Sequence, residues 1–165
     1  MSFEEIKDLL ISKFGSDVII KEELEVLQAT LTIQPDKIGE VCLELRNNPN
    51  TYFDLLECLS GVDYGIEEGM FGVVYHLASI PLKKQITLKV IKYHDRSRET
   101  LPSFPTVSHV WRTAEWHERE AFDLLGIEFE NHPDLRRILL PDDWEGFPLR
   151  KDYKAQEYYR GIKVD

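Results

Sequence analysis

Residues 71–93 read FGVVYHLASIPLKKQITLKVIKY, and this stretch decides the fold. Two runs rich in β-branched and aromatic residues, 71–79 and 85–93, are separated by Pro81 and the three residues after it, which is the composition of a turn. A third run, 53–64, precedes them across a segment that contains two glycines. The pattern predicts three strands that follow one another as an antiparallel meander.

Helical and strand patterns alternate in the chain before this meander. Apolar residues recur at helical spacing over residues 3–14, and a second helical pattern runs over residues 35–47. Strands are predicted between these helices, over residues 18–20 and 25–33. This order predicts an α+β fold, in which a mainly antiparallel sheet carries helices packed on one face.

Charge is distributed unevenly along the 165 residues. The formal net charge is −10, and the first 70 residues hold 15 acidic and 5 basic side chains, so the whole excess lies there. This balance argues against binding to nucleic-acid backbones. It indicates either an acidic solvated face or an acidic surface offered to a basic partner.

The sequence also limits how the chain could meet a membrane or a metal. No apolar run approaches the roughly 20 residues of a membrane helix, and the N-terminus lacks the pattern of a secretory signal. We therefore expect any membrane association to go through a partner. Cys42 and Cys58 are the only cysteines, too few to ligate an iron–sulfur cluster within one chain, and we expect them to be small core residues.

The last third of the chain changes character after one more helix. This helix is predicted from Ser108 or Thr113 to Leu125, with Gly126 as the residue that ends it. Beyond it, prolines recur and no periodic segment follows. We predict an α+β domain over residues 1–126 and an extended C-terminal segment over residues 127–165, which lies along its own domain or another subunit.

The predicted last helix carries charges that need partners. Glu118 lies inside its apolar stripe, where a carboxylate is costly unless it is paired. Arg119 is spaced to form ion pairs with Glu115 and with Asp123 at i,i+4. The C-terminal segment offers guanidinium and ammonium groups to the carboxylates of this helix; the candidates are Arg136, Arg137, Arg150 and Lys151.

Three sequence blocks in this region match a known family. Residues 118–127 read EREAFDLLGI, residues 132–139 read HPDLRRIL and residues 141–153 read PDDWEGFPLRKDY. This run of about 36 residues resembles the signature of the C subunit, the 30 kDa-type subunit, of NADH:quinone oxidoreductase (respiratory complex I). The signature or interface positions that this resemblance implies are Glu118, Arg119, Glu120, Asp123, Gly126, His132, Pro133, Arg136, Arg137, Pro148, Arg150, Lys151 and Asp152.

The resemblance implies a non-catalytic subunit of the peripheral arm of a proton-translocating complex. Such a subunit has no activity alone and holds no cofactor or metal, because the flavin and the iron–sulfur clusters belong to partner subunits. It supports electron transfer from NADH to quinone by packing against the D subunit at the quinone site, with the B subunit as a neighbour. The location implied is the cytoplasmic face of the inner membrane, and the extended C-terminal segment is then expected to dock on a partner subunit.

Other functions stay open from the residues alone. An equivalent subunit of an energy-converting hydrogenase or a related complex resembles the same family. A free-standing hydrolase or metal site would use His117, Glu118 or Glu120, although the second histidine of a His-Glu-x-x-His zinc motif is missing. An anionic ligand could bind the basic residues of the C-terminal segment, but the acidic residues interspersed there favour ion pairs between proteins.

Overall fold

The structure is a computed structural model that describes residues 1–97 and 99–164. Its helices are α1 (Phe3–Phe14), α2 (Ile38–Asn47) and α3 (Ala114–Leu125). Its strands are β1 (Ile19–Glu23), β2 (Thr30–Ile33), β3 (Leu55–Asp63), β4 (Met70–Ser79), β5 (Lys84–Tyr93), β6 (Ser103–Pro105), β7 (Glu128–Glu130), β8 (Tyr158–Tyr159) and β9 (Ile162–Lys163). This order confirms the predicted α+β class.

Helix α1 begins and ends where its sequence predicts. The side chain of Ser2 accepts a hydrogen bond from the backbone N–H of Glu5, whose carboxylate accepts one from the N–H of Ser2, so two free amides of the first turn are satisfied. The helix ends at Gly15, where φ is 95°, a conformation that L side chains rarely adopt. Local signals alone therefore set both ends of this helix.

The central sheet has five strands in the order β1-β2-β5-β4-β3. Strands β3, β4 and β5 form the antiparallel meander that residues 53–93 predict. Strand β2 instead pairs parallel with β5, with Leu31 opposite Leu88. The sheet is therefore mixed but mainly antiparallel, and its one parallel pair joins strands far apart in sequence, which no local pattern indicates.

One face of the sheet forms the core together with the helices. Phe71, Val73, Tyr75 and Leu77 alternate along β4 and are all fully buried. They belong to one cluster with apolar residues of α1, α2 and α3. His76, which points to the opposite face, is only half-buried. The helices thus cover one face, as predicted, and their burial of that face drives the fold.

Strand β2 is shorter than the predicted strand 25–33. It begins only at Thr30, where β5 provides a partner, and the loop before it leaves Leu27 fully exposed. Alternating apolar residues continue into this loop, but among the backbone groups of its described residues only the carbonyl of Ala29 bonds to a neighbouring strand, at Thr87 of β5. The predicted strand was therefore too long at its N-terminal end, because alternation of apolar residues does not show where hydrogen bonding to a neighbouring strand begins.

The expectation that both cysteines are core residues is confirmed for Cys42 and is wrong for Cys58, which lies outside the buried cluster. Cys42 is buried in the core, Cys58 is half-buried, and both thiols are free. Within the described residues, no helix combines the length and the apolar composition needed to cross a bilayer.

The C-terminal segment first contributes to the core and then runs over the domain surface. Strand β7 pairs parallel with β6, and Ile127 and Phe129 are buried. Beyond Glu130 the chain follows turns until the short hairpin of β8 and β9. Its docking on a partner subunit stays a prediction.

Candidate functional site

Asp123 of α3 is the centre of the contacts that hold the C-terminal segment. Its carboxylate is fully buried, and Oδ2 accepts hydrogen bonds from the backbone N–H groups of Ile138, Leu139 and Leu140 at 3.0, 2.7 and 2.8 Å. Oδ1 accepts one from Arg137 Nη1 at 2.7 Å. Burial raises the pKa of Asp123, but these donated hydrogen bonds outweigh it and hold the pKa below its ordinary value. The carboxylate is therefore ionised and bound by its own chain.

Arg137 extends this contact to the next turn of the segment. Besides the carboxylate of Asp123, its Nη1 reaches the backbone carbonyl of Asp123, and its Nη2 donates to the carbonyls of Trp144 and Gly146, all three at 3.0 Å. The guanidinium also lies over the ring of Phe147, 5.3 Å from its centroid. One arginine thus connects α3 to residues 144–147.

Phe147 occupies the space beside Gly126, the residue that ends α3. Gly126 has φ 66° and ψ 37°, the left-handed conformation predicted for this position. A Cβ placed on it would come within 2.6 Å of the Phe147 ring. This glycine is therefore needed both for its backbone conformation and for the close approach of the C-terminal segment.

Arg119 has different partners from the ion pairs that its spacing predicts. Its Nε donates to the carbonyl of Arg136 at 3.1 Å, and its Nη2 donates to the carbonyl of Arg137 at 2.9 Å. The guanidinium also lies over Trp116. Arg119 therefore binds the main chain of the C-terminal segment, which an i,i+4 pattern of side chains cannot reveal.

Glu118 is fully buried, as its place in the apolar stripe predicts, but its partners differ from the tail arginines that we expected. Its Oε1 accepts from the N–H of Val107 at 2.8 Å, and its Oε2 accepts from the hydroxyl of Thr106 at 2.5 Å. Burial raises the pKa of Glu118 to about 7, and these two hydrogen bonds oppose the rise without cancelling it. Near pH 7, Glu118 is therefore present in both its charged and its neutral form.

His132 lies beside this carboxylate, with Nε2 at 3.8 Å from Oε2 of Glu118. Its Nε2 donates to the carbonyl of Glu115, and its Nδ1 accepts the N–H of Asp134 at 3.0 Å. Both ring nitrogens of His132 thus have a hydrogen-bond partner within the chain. His132 therefore stabilises the turn that starts the C-terminal segment.

Glu118 gives the chain a pH dependence whose sign can be stated. A pKa that rises from 4.5 to about 7 on folding makes ionisation unfavourable, by roughly 3 kcal/mol. Between these two pKa values the native state binds more protons than the unfolded state, so the cost is absent below about pH 4, grows as the pH rises from 4.5 and is fully present above about pH 7. Replacing Glu118 by glutamine, which is neutral at all pH values, should stabilise the chain at pH 8 and have little effect at pH 5.

Urea unfolding of both proteins at the two pH values measures this difference, because titration of all other groups cancels in the comparison. Glu120→Gln, at an exposed position of the same helix, is the matched control and should change nothing at either pH. An equal effect of Glu118→Gln at pH 5 and pH 8 would contradict the assignment.

A third carboxylate, Asp63 at the end of β3, was not among the residues that the sequence predicted for the site. It is ion-paired with Arg96 through both of its oxygens, and it accepts backbone N–H groups of Gly65 at 2.9 Å and Lys151 at 2.8 Å. Burial raises the pKa of Asp63, but Arg96 and the two amides outweigh it and hold the pKa below its ordinary value. The C-terminal segment is thus fastened to the sheet as well as to α3.

The remaining predicted residues are more peripheral. Arg136 is exposed and pairs with Asp134 at the surface, Glu120 is exposed, and Asp152 lies 3.3 Å from Arg96. Pro133 and Pro148 lie in turns. Lys151 contributes its backbone N–H, and its side chain is exposed.

Metal binding was one of the alternatives for this region. Within the described part of the chain, no three histidine, cysteine, aspartate or glutamate residues are grouped so that they could hold a metal ion. The three buried carboxylates instead accept hydrogen bonds from backbone amides and neighbouring side chains. The arrangement is suited to fixing an irregular chain segment in one conformation.

Comparison with known proteins gives the family. Residues 31–159 match the family described as the respiratory-chain NADH dehydrogenase 30 Kd subunit. The NADH-quinone oxidoreductase C subunit of Chlorobium phaeobacteroides is 46% identical over 158 residues, which cover 95% of this chain and 92% of that protein. The corresponding C subunit of Chloroherpeton thalassium is 45% identical over 166 residues, 99% of this chain, but the match spans only 64% of that longer protein.

A solved structure shows the same fold. A chain in the structure of the membrane-bound sulfane sulfur reductase, an archaeal respiratory membrane complex, has a TM-score of 0.72 and 25% sequence identity. The match covers 92% of this chain and 85% of that one. Both comparisons agree with the resemblance carried by residues 118–153, and the chain belongs to the family of the 30 kDa subunit of the respiratory-chain NADH dehydrogenase.

Proposed function

We propose that this chain is a non-catalytic peripheral subunit of a proton-translocating NADH:quinone oxidoreductase. In this role it supports electron transfer by holding its partners in place, chiefly the D subunit at the quinone site and the neighbouring B subunit. Its relatives are named as the C subunits of such enzymes, and this supports the assignment. The proposed location is the cytoplasmic face of the inner membrane, with flavin and iron–sulfur clusters held by other subunits.

One observation carries the proposal: the C-terminal segment is fixed to its domain yet presents large apolar side chains to solvent. Leu139 is 63% exposed although its N–H binds the buried carboxylate of Asp123, and Leu149 is 57% exposed although its N–H binds the carbonyl of Leu124. A folded chain that holds apolar side chains outward on a rigid backbone is preorganised to bury them against a partner.

This surface can be tested by making it polar. Leu139→Asn and Leu149→Asn together should leave the free energy of unfolding of the isolated chain within about 0.5 kcal/mol of the wild type, since both positions are exposed. The same pair should sharply reduce the amount of other subunits that co-purify with the tagged chain after mild detergent extraction. The flavin and iron–sulfur absorbance of the purified material measures that amount.

Ile80→Asn is the matched control. Ile80 is 65% exposed, like the two leucines, but it lies in the turn after β4 and outside the C-terminal segment. It should co-purify with the partners as the wild type does. The proposal fails if the wild-type chain is recovered from the native membranes without other subunits, or if the doubly substituted chain brings them down at wild-type levels.

A second function is suggested by the structural match. The solved relative belongs to a sulfane sulfur reductase complex. This match supports the alternative that the chain is the equivalent subunit of a related respiratory complex with another electron donor. The sequence identities of 45–46% to subunits of NADH-quinone oxidoreductases favour the first proposal. NADH:quinone activity in the co-purified complex distinguishes the two, because only the first predicts it.

A further inference from the structure

Arg150 has an unusual environment within the C-terminal segment. Its guanidinium carbon lies 5.0 Å from the centroid of the Phe71 ring and 5.5 Å from that of the Phe147 ring. Its side chain is 15% exposed. Stacking on aromatic rings fixes the plane of a guanidinium while its N–H groups, which lie in that plane, stay available as donors.

Among the described residues, one of these donors has no acceptor at hydrogen-bonding distance. Nε of Arg150 is buried without a partner among the described residues, and its ion pair with Oδ1 of Asp152 spans 3.9 Å, too long for a hydrogen bond. Asp152 also faces Arg96, at 3.3 Å, so its charge is shared. Burial, with a contribution from Arg96, lowers the pKa of Arg150 in spite of the opposing charge of Asp152. The positive charge of Arg150 is therefore incompletely balanced within the chain.

A cavity of about 390 Å³ lies beside this arginine. Arg150 and Tyr153 both line it, and the hydroxyl of Tyr153 is a second buried group without a hydrogen-bond partner among the described residues. Buried polar groups in folded proteins are nearly always satisfied, so two unsatisfied groups in residues that line one cavity point to a ligand that supplies acceptors. Leu149, one of the two exposed apolar residues of the C-terminal segment, directly precedes Arg150 in the chain.

We propose that this cavity receives the carboxylate of an aspartate or glutamate side chain from a neighbouring subunit, bound by Arg150 and by the hydroxyl of Tyr153. A carboxylate has two coplanar acceptor oxygens, matches the donor edge of a guanidinium, and supplies one negative charge. Glu145, Asp152 and Lys154 also line the cavity, so with Arg150 the formal charges of the lining sum to zero, which disfavours a multiply charged anion such as phosphate more than a single carboxylate. The inference rests on the proposed function, because it requires a partner subunit.

Replacing Arg150 by lysine and treating the detergent-extracted complex with a water-soluble carbodiimide tests the contact directly. The reagent activates a carboxylate, the lysine amine attacks it and displaces the urea, and an amide bond joins the two side chains. Mass spectrometry should then show residue 150 linked to an aspartate or glutamate of another subunit. Arg46→Lys, at an exposed position of α2, is the control that reports background coupling.

A second variant measures how much the hydroxyl of Tyr153 contributes to binding the partner. Because the hydroxyl of Tyr153 has no partner in the described part of the chain, Tyr153→Phe should leave the melting temperature of the isolated protein unchanged or slightly raised. The amount of co-purifying subunits should fall about tenfold or more, as expected when a buried charge loses part of its binding site. Tyr158→Phe, at a tyrosine that is 60% exposed, should change neither quantity.

The outcomes separate this inference from the proposed function. If the wild-type chain brings down no partners, the proposed function fails and the inference fails with it. If the wild type assembles but Arg150→Lys couples only within its own chain, the inference alone is overturned. Should Arg150→Lys not fold by itself, wild-type recovery of partners by Tyr153→Phe overturns the inference, and their loss supports it.

Discussion

Replacing Asp123 by alanine is expected to lower the free energy of unfolding by about 3–5 kcal/mol, as removal of one partner from a buried ion pair does. The substitution leaves Arg137 without its carboxylate and removes the acceptor for three consecutive backbone N–H groups. We expect residues 137–153 to detach from α3, with rapid proteolysis at Arg137 and Lys151 as the readout beside urea unfolding.

Asp142→Ala is the matched control for this prediction. Asp142 is an exposed aspartate of the same segment, so its loss should change the free energy of unfolding by less than about 0.5 kcal/mol. If Asp123→Ala unfolds at the same urea concentration as the control and resists protease equally, Asp123 does not hold the C-terminal segment.

Phe71→Ala is the second substitution with a large expected effect. The ring is fully buried in the core, and truncating such a residue costs about 3–5 kcal/mol. The same ring carries Arg96 at 4.4 Å and Arg150 at 5.0 Å from its centroid. We therefore expect Phe71→Ala both to leave a cavity in the core and to release the C-terminal segment. Faster tryptic cleavage after Lys151 and Lys154 measures this release.

Val73→Ala separates the two consequences of that substitution. Val73 is the next inward residue of β4 and is also fully buried. Its truncation should destabilise the core while cleavage after Lys151 stays as slow as in the wild type under native conditions. Equal cleavage rates in Phe71→Ala and Val73→Ala would show that stacking on Phe71 does not fix the arginines.

Sequence patterns predicted the parts of this fold whose causes are local. Helix α1, the end of α3 at Gly126 and the meander of β3, β4 and β5 all follow from spacing, capping residues and turns. The parallel pairing of β2 with β5 could not be predicted in this way, because it depends on which strands meet after the chain has closed over 50 residues.

For the candidate site, the sequence could predict which side chains need partners but not which groups those partners are. The pattern correctly placed Glu118 in a buried position that demands partners, but those partners, Thr106 and Val107, belong to a connector whose path no periodicity specifies. The three backbone amides that bind Asp123 could not be predicted either. Almost every residue carries an N–H group, and the pattern of side chains does not show in which direction each N–H points. Asp63 was missed since its partner Arg96 lies beyond two further strands.

The hydrogen bond between Asp63 and the amide of Lys151 joins residues 88 positions apart. A ribosome that adds roughly 5–20 residues per second delivers Lys151 about 4 to 18 s after Asp63. After Tyr93 has been added and before Lys151 follows, the nascent chain holds all five strands of the sheet but lacks the C-terminal residues that bind Asp63. A chain that ends before Lys151 therefore lacks this contact with the sheet, and we expect proteases to cleave such an incomplete product faster than the full chain.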